Sequence, residues 1–290
     1  MKVVIKFVIK DKELLKTVSF IIFLCLLFSS GKSLAVSHFE INDTLTKTDL
    51  NDYLYALEDN DGKLTINDAR NQENEKHFFK TEANTPSFGF TRSTWWIRFD
   101  IKNPLPESRQ VLLELGYPFQ NQIELNAFSS NGYHSSQITG SEQPFSKRKF
   151  KYRNFLFDLS LPANTITTIY LKLKTDAPMV VPLILWNPAF FWENSPTELY
   201  ILGMYYGMLM IMVFYNLFIF LSVRDRSYLF YFLHVSFFLL YQMSYTGLTF
   251  QYLWPESPWW AEVSVSLFIF FALGFSILFA KSFLNTEQYS

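Results

Sequence analysis

The hydrophobic pattern changes along the chain and divides it into a β-rich part and a helical part. Between residues 36 and 190, apolar residues recur at every second position in short runs, which is typical of strands with one buried and one solvated face. From residue 199 onward the apolar residues form long runs instead, and these predict membrane-spanning helices.

The β-rich part predicts an all-β sandwich, jelly-roll-like, over residues 36–190, because its strands are short and separated by proline, asparagine or glycine. A short helix is predicted at residues 66–72, with Thr65 as N-cap. Asp61-Gly62 predicts a tight turn rather than a calcium loop, because Leu57 would fall on a ligand position. The side chains predicted to face the core are Trp95, Ile97, Phe99 and Ile101; Val111, Leu113 and Leu115; Ile123, Leu125 and Ala127; Phe155, Phe157, Leu159 and Leu161; and Ile169, Leu171 and Leu173.

The helical part, residues 199–284, predicts three transmembrane helices at 199–223, 228–250 and 261–281. Each run is long enough to cross a hydrocarbon core of about 30 Å as a helix. Arg224 and Arg226 lie between the first two runs, and Lys281 ends the third, so these ends are predicted to be cytoplasmic. The sandwich, joined through a linker at 191–198, is then outside, and the tail at 285–290 is inside.

The N-terminus supports the same orientation. Five lysines within the first 16 residues, an apolar run and small residues near position 35 are typical of a secretory signal peptide, predicted here for residues 1–35. An uncleaved N-terminal anchor is the alternative. The only cysteine, Cys25, lies inside this segment. Together these features predict a multi-pass protein of a bacterial inner membrane with its N-terminal domain in the periplasm.

Polar and small residues within the predicted spans are candidates for helix packing. Asn216 and His234 are expected at one depth, where they could form a hydrogen bond, and Gln242 would extend this polar seam. The functional alternative is that His234 relays a proton or a signal. Gly203 and Gly207 form a GxxxG pair that permits close approach of another span or of a second copy.

Candidate ligand-binding residues lie on the side of one strand that faces away from the predicted core. Trp96, Arg98 and Asp100 share this side, and Arg153 begins another strand that could join them. Aromatic rings stack on sugars, while arginine and aspartate bond hydroxyl and carboxylate groups. The alternative is structural: Trp96 packs under a loop, and Arg98 pairs with Asp100 or another acid.

Composition and motifs argue against other classes of function. The formal net charge is −1, from 25 basic and 26 acidic residues, so no basic field points to nucleic acid. His38, His77 and His134 lack metal-ligand spacing, and the sequence contains no nucleophile elbow, P-loop or dinucleotide fingerprint. We therefore expect neither enzymatic activity nor a catalytic residue, a metal or a cofactor.

The sequence contains several short motifs in a fixed order: Trp96-Ile97-Arg98-Phe99, Arg153-Asn154-Phe155, Gly203-Met204-Tyr205-Tyr206-Gly207, Tyr215-Asn216-Leu217-Phe218, Arg224-Asp225-Arg226-Ser227-Tyr228-Leu229 and Phe250-Gln251-Tyr252-Leu253-Trp254-Pro255. Together these motifs resemble the seven-transmembrane receptors with diverse intracellular signalling modules and their type 2 extracellular domain. The resemblance implies a β-sandwich related in shape to carbohydrate-binding modules, seven helices and a cytoplasmic output such as a diguanylate cyclase or a histidine kinase. Against that plan, the sequence is expected to be truncated after the third transmembrane helix.

The sequence therefore predicts a membrane-anchored receptor. Its periplasmic domain would sense an external small molecule or carbohydrate, and its helices would pass the signal to a missing or separate cytoplasmic module. A homodimer or a cytoplasmic signalling partner fits this interpretation. The alternative is a non-enzymatic interaction protein that docks a periplasmic or membrane partner.

Overall fold

The computed structural model describes residues 37–81 and 85–284. Strands occupy the first part of this range, and long helices occupy the part after residue 187. The predicted signal peptide, Cys25 and the predicted tail at 285–290 lie outside the described residues.

Two sheets pack face to face as a sandwich, which confirms the predicted fold class. The strands of the larger sheet are β1 (His38–Glu40), β3 (Tyr55–Asp59), β4 (Phe79–Lys80), β6 (Thr94–Asn103), β8 (Gln122–Ser129), β9 (His134–Thr139) and β11 (Thr165–Lys174). Their order is β4-β3-β6-β11-β8-β9, with β1 parallel to β6. The smaller sheet has the order β10-β7-β13-β2, made of β2 (Lys47–Asp49), β7 (Arg109–Leu115), β10 (Phe155–Leu161) and β13 (Leu183–Trp186). A separate pair consists of β5 (Ser87–Gly89) and β12 (Met179–Val180).

The core lies between the two sheets and contains every side chain that the alternation placed there. In the larger sheet, Ile97 lies opposite Leu171, and Leu171 opposite Leu125, so three neighbouring strands present one apolar face. In the smaller sheet, the predicted residues of β7 and β10 pack in the same core. Burial of apolar surface from both sheets is the main force that holds them together.

A segment between β3 and β4, residues 60–78, folds over the other side of the larger sheet. It begins with the predicted turn, in which Gly62 has a φ of +66° and Asp59 accepts the N–H groups of Lys63 and Leu64. Two single-turn helices follow, α1 (Ile66–Ala69) and α2 (Gln72–Glu75), where one helix was predicted. Thr65 caps α1 as predicted, and Asn71 interrupts the run because its side chain caps α2 instead. We call residues 60–78 the cover segment.

The helical part contains α3 (Pro188–Val223), α4 (Arg226–Tyr245), α5 (Leu248–Tyr252) and α6 (Pro258–Phe283). By length and composition, α3 and α6 are able to cross a membrane. Large apolar side chains on them are exposed, such as Met204, Ile211 and Phe218, each about two-thirds exposed. Apolar surface of this extent is unfavourable in water but favourable in lipid.

The helices differ from the predicted spans at two boundaries. Residues 191–198 were expected to form a linker, but they continue α3, which begins directly after β13 and Asn187. The reason is a strong start signal: the Asn187 side chain accepts the N–H groups of Ala189 and Phe190, and Pro188 occupies the first helical position.

The second difference is a break within the run predicted at 228–250. Helix α4 ends at Tyr245, and α5 starts at Leu248 after two intervening residues. Gly247 separates them with a φ of +79°, which favours glycine. A β-carbon at Gly247 would lie 3.2 Å from the β-carbon of Pro118 and 3.4 Å from the carbonyl oxygen of Arg153. The helix therefore breaks where the chain passes close to the sandwich.

Candidate functional site

The predicted ligand-binding side of β6 lies beneath the cover segment. Trp96 is completely buried, and the ammonium group of Lys172 lies 5.2 Å from its ring. The same ammonium donates a hydrogen bond of 2.7 Å to the carbonyl of Leu64 in the cover segment. The aromatic ring of Phe78 packs edge-on against Tyr170 at 6.2 Å.

Charged groups on this side pair with one another. Arg98 forms an ion pair of 2.7 Å with Glu75 of α2 and a longer one of 3.7 Å with Asp100. Burial raises the pKa of the neighbouring Tyr170 hydroxyl. These contacts match the structural alternative for Trp96 and Arg98. Ligand binding by the three residues stays a prediction, and it would require displacement of the cover segment.

Arg153 lies in different surroundings, because it faces the helices. Its guanidinium forms an ion pair with Glu198 of α3 and lies 3.5 Å from the carbonyl oxygen of Thr246, just after α4. The neighbouring Tyr152 hydroxyl donates to the same Glu198 carboxylate at 3.1 Å. The pKa of Tyr152 is raised, first by burial and then by the carboxylates of Glu114 and Glu198.

Arg153 and Tyr152 belong to a longer stretch that binds the helices, residues 144–153, which we call the docking segment. The Phe145 N–H donates to the carbonyl of Pro255 at 2.7 Å, and its ring packs against Phe250 at 5.6 Å. Gln251 donates from its side chain to the carbonyl of Lys151 at 3.2 Å. The docking segment thus contacts the ends of α3, α4 and α5 that lie nearest the sandwich.

Arg148 is the buried centre of the docking segment, with 7% of its surface exposed. It donates to the carbonyls of Tyr152 and Arg153 at 3.3 and 2.9 Å. Its guanidinium lies over the rings of Phe155, Phe145 and Phe250, at 4.1, 4.8 and 5.5 Å. Burial lowers its pKa to about 9, so the side chain is still a cation at neutral pH.

Sequence reasoning missed Arg148, because it is one of five basic residues between 147 and 153 and the run resembles a solvated surface. The usable signal was the interleaving of these cations with aromatic residues, Phe150 and Tyr152 within the run and Phe145 and Phe155 beside it. Basic residues beside aromatics are common where a cation is held over rings.

The polar residues within the helices form bonds, but not the one predicted. Asn216 donates to the carbonyl of Met212 in its own helix at 2.8 Å. His234 donates from Nδ1 to the carbonyl of Ala272 in α6 at 2.8 Å. The predicted bond between Asn216 and His234 is therefore absent, because the imidazole points toward α6 instead of α3. Gln242 does link α4 to α3, through the hydroxyl of Tyr205 at 3.2 Å.

The glycine pair of α3 faces open space. A β-carbon built at Gly203 or at Gly207 would meet no atom within 4 Å among the described residues. None of the described helices packs closely there. Close approach of a further helix or of a second copy at this pair stays a prediction.

Comparisons with known proteins agree with the two-part architecture. Residues 51–187 match the family described as 7TMR-DISM extracellular 2, and residues 198–290 match 7TM diverse intracellular signalling. No curated protein matches the chain.

Among solved structures, three examples show low similarity. The β-glucosidase from Kluyveromyces marxianus in complex with glucose has 7% identity and a TM-score of 0.28, with 46% of this chain and 16% of that chain covered. The module TmCBM61 in complex with β-1,4-galactotriose has 7% identity and a TM-score of 0.24, with coverages of 50% and 89%. A family 35 carbohydrate-binding module from Clostridium thermocellum has 9% identity and a TM-score of 0.20, with coverages of 35% and 86%. The chain thus spans less than a fifth of the β-glucosidase, and similarity at these scores carries no argument about a ligand.

The family matches cover both the sandwich and the helices, and they agree with the resemblance of the sequence motifs. This chain belongs to the 7TMR-DISM family, the seven-transmembrane receptors with diverse intracellular signalling modules, and is a membrane signalling receptor with an extracellular domain.

Proposed function

We propose that this protein is an inner-membrane receptor whose periplasmic sandwich senses an external small molecule or carbohydrate. The helices pass the signal across the membrane to a cytoplasmic output module. The observation that carries this proposal is the docking segment, through which the sandwich contacts three helices at once.

The distribution of charge supports the orientation. Arg224 and Arg226 follow the C-terminal end of α3, whereas the sandwich precedes its N-terminal end. One membrane-spanning helix therefore separates the sandwich from the basic loop. Because basic loops stay in the cytoplasm, the sandwich belongs on the periplasmic side.

The ion pair between the sandwich and α3 is weak enough for a ligand to shift the population of docked and released states. Glu198 is about half exposed, while Arg153 is 13% exposed. A partly solvated ion pair of this kind contributes about 1 kcal/mol or less. Coupling energies between distant sites are typically about 1–3 kcal/mol, so a ligand with modest preference for one arrangement could shift the population of docked and released states.

Hydrogen exchange on the full chain in lipid nanodiscs tests the proposal. A panel of glycans and small metabolites would first be screened for thermal stabilisation. A stabilising ligand is then expected to change amide exchange at residues 245–253, next to the docking segment. In the Glu198→Gln variant the ligand should still bind, but the change at 245–253 should be reduced. Glu193→Gln, on the same helix and exposed, is the matched control.

Two results would contradict the proposal. One is that a bound ligand leaves exchange at the helix ends unchanged. The other is that nothing in a broad panel stabilises the folded chain. A protein partner that crosslinks equally with and without ligand would favour the alternative of an interaction protein.

A further inference from the structure

An open cleft lies where the edge strands of the two sheets meet, β9 of the larger sheet and β10 of the smaller one. The Gln137 side chain bridges the strands by donating to the carbonyl of Asp158 at 2.8 Å. Residues 147–150 of the docking segment form the other wall. The cleft offers about 180 Å³ to the centres of water-sized molecules. One water needs roughly 10–15 Å³ on this measure, so a small organic molecule has room.

The lining of the cleft is cationic. Lys147, Arg148 and Lys149 all line it, and among the described residues no carboxylate side chain does. Lys149 is neutralised by an ion pair of 2.5 Å with Asp158 just outside. Lys147 is exposed and has no ion-pair partner among the described residues. Two cations are therefore left without a countercharge.

Arg148 is the unusual member of this set, because it is buried. Buried arginines are nearly always paired with an acid, since an isolated charge is costly to remove from water. In the part of the chain that the structure describes, no carboxylate lies within ion-pair distance of Arg148, and its Nε has no hydrogen-bond partner. Two backbone carbonyls and three rings are its described partners. Among the described residues, the surroundings of Arg148 therefore contain no anion to balance its charge.

We propose that this cleft binds the oxyanion group of a small external ligand, a carboxylate or a phosphate, with Arg148 as the inner cation and Lys147 as the outer one. The proposal rests on the proposed function and specifies the chemistry of the ligand that the receptor senses. The guanidinium fork matches two oxygens of a carboxylate or of a phosphate, and charge-assisted hydrogen bonds are about twice as strong as neutral ones.

The position of Arg148 also connects the cleft with the membrane helices. Arg148 also lines a second, smaller cavity of about 40 Å³, together with Gly247, Phe250 and Glu262 of the helical part. An anion that draws the guanidinium toward the cleft would alter its contact with Phe250. Binding in the sandwich would thereby reach the break between α4 and α5.

A soluble ligand is favoured over a lipid headgroup because every residue that lines the cleft belongs to the sandwich or the docking segment. None belongs to the described helices. A phospholipid phosphate has the same chemistry, however, so the experiment must separate the two sources.

The test uses the full chain in nanodiscs of neutral phosphatidylcholine, titrated with glucuronate, glucose or inorganic phosphate at constant ionic strength. Glucuronate and glucose differ by one carboxylate. We expect glucuronate or phosphate to raise the melting temperature and glucose to leave it unchanged. A parallel series contains phosphatidylglycerol without a soluble anion.

Three variants locate the site. Arg148→Met should abolish the anion effect, but it also removes structural hydrogen bonds. Lys147→Gln is therefore the decisive variant, because the Lys147 side chain is exposed and its replacement leaves those structural hydrogen bonds in place. We expect it to raise the Kd for the anion about tenfold, which corresponds to the loss of one charge-assisted hydrogen bond. Lys63→Gln, an exposed lysine on the cover segment, is the control.

Three results would overturn this inference: an equal response to glucose and glucuronate, no effect of Lys147→Gln, or stabilisation by phosphatidylglycerol alone. They are distinct from failure of the proposed function. That function fails when a bound ligand does not alter the helix ends, whatever its charge.

Discussion

Replacing Arg98 by methionine tests whether the charged side of β6 is an internal contact. Methionine keeps much of the apolar stem but removes the guanidinium that lies between Glu75 and Asp100. Asp100 is the residue most affected, because its side chain is only 11% exposed and Arg98 is its ion-pair partner. The variant therefore leaves a nearly buried carboxylate without a countercharge.

The magnitude follows from the geometry. Removing one partner of a fully buried ion pair costs about 3–5 kcal/mol. Here the shorter pair involves Glu75, which is 37% exposed, and the buried pair is long at 3.7 Å. We therefore expect Arg98→Met to lower the free energy of unfolding by about 2–3 kcal/mol, below the fully buried case. Adding Asp100→Asn should restore about 1 kcal/mol, because an amide is less costly to bury than an unpaired carboxylate.

Urea unfolding of the four proteins of this double-mutant cycle, the wild type, the two single variants and the double variant, followed by tryptophan fluorescence, measures these differences. Amide exchange of β6 provides a local measurement on the same proteins. Glu75→Gln is the matched control and should cost less than about 1 kcal/mol, as for a pair open to solvent. A loss below about 0.5 kcal/mol for Arg98→Met, with no recovery on adding Asp100→Asn, would show that this side is open to water and that the reasoning is wrong.

Three further predictions concern the contact between the sandwich and the helices and the contact between helices. Gly247→Ala should lower stability by about 1–2 kcal/mol in thermal unfolding, because alanine disfavours positive φ, whereas Gly203→Ala, in open space, should not lower it. For Tyr152, burial raises the folded-state pKa above its usual value of 10.0. The folded state thus keeps this proton to higher pH than the unfolded state, so stability is retained below pH 10 and lost above it. In alkaline urea titrations, Tyr152→Phe should weaken that loss of stability. An unchanged pH profile of the free energy of unfolding would refute the assignment. His234→Ala should cost about 0.6–1 kcal/mol in unfolding in detergent, the usual worth of one interhelical bond in a membrane; no loss would argue against the bond.

The inner faces of the strands could be predicted from the sequence because one force decides them. Phe99 and Ile101 alternate with polar neighbours, and the only apolar surroundings available to them lie between the sheets. The register of such a strand cannot slip by one residue without exposing the whole apolar set. The five predicted runs therefore reached the core together.

The other side of β6 could not be predicted in the same way. Alternation shows that Trp96 and Arg98 face away from the core, but it says nothing about what covers them. The cover segment contains mostly polar residues and reads as a surface loop, yet Glu75 lies against Arg98. Contacts of this kind depend on long-range placement of a short irregular stretch, which has no periodic signal.

The same distinction holds for the helices and the docking segment: features with a periodic pattern could be predicted, and features that depend on long-range contacts could not. The long apolar runs predicted long helices, but the break at Gly247 lies beside Pro118, which is far away in the sequence. The hydrogen-bond partner of His234 depends on which helix packs against its side of α4, and the sequence does not show this. Arg148 was missed because five basic residues look alike in a sequence, and only the fold decides which one is buried.

The junction between β13 and α3 consists of a single residue, Asn187, and the helix that follows continues for 36 residues. At 1.5 Å per residue this is a rod of about 54 Å, with no slack chain between the last strand and the helix. A tilt or twist of the smaller sheet must therefore swing the far end of the rod, as a lever arm magnifies a small angle. A ten-degree tilt at the sheet would displace that end by roughly 9 Å, given the rise per residue of an α-helix.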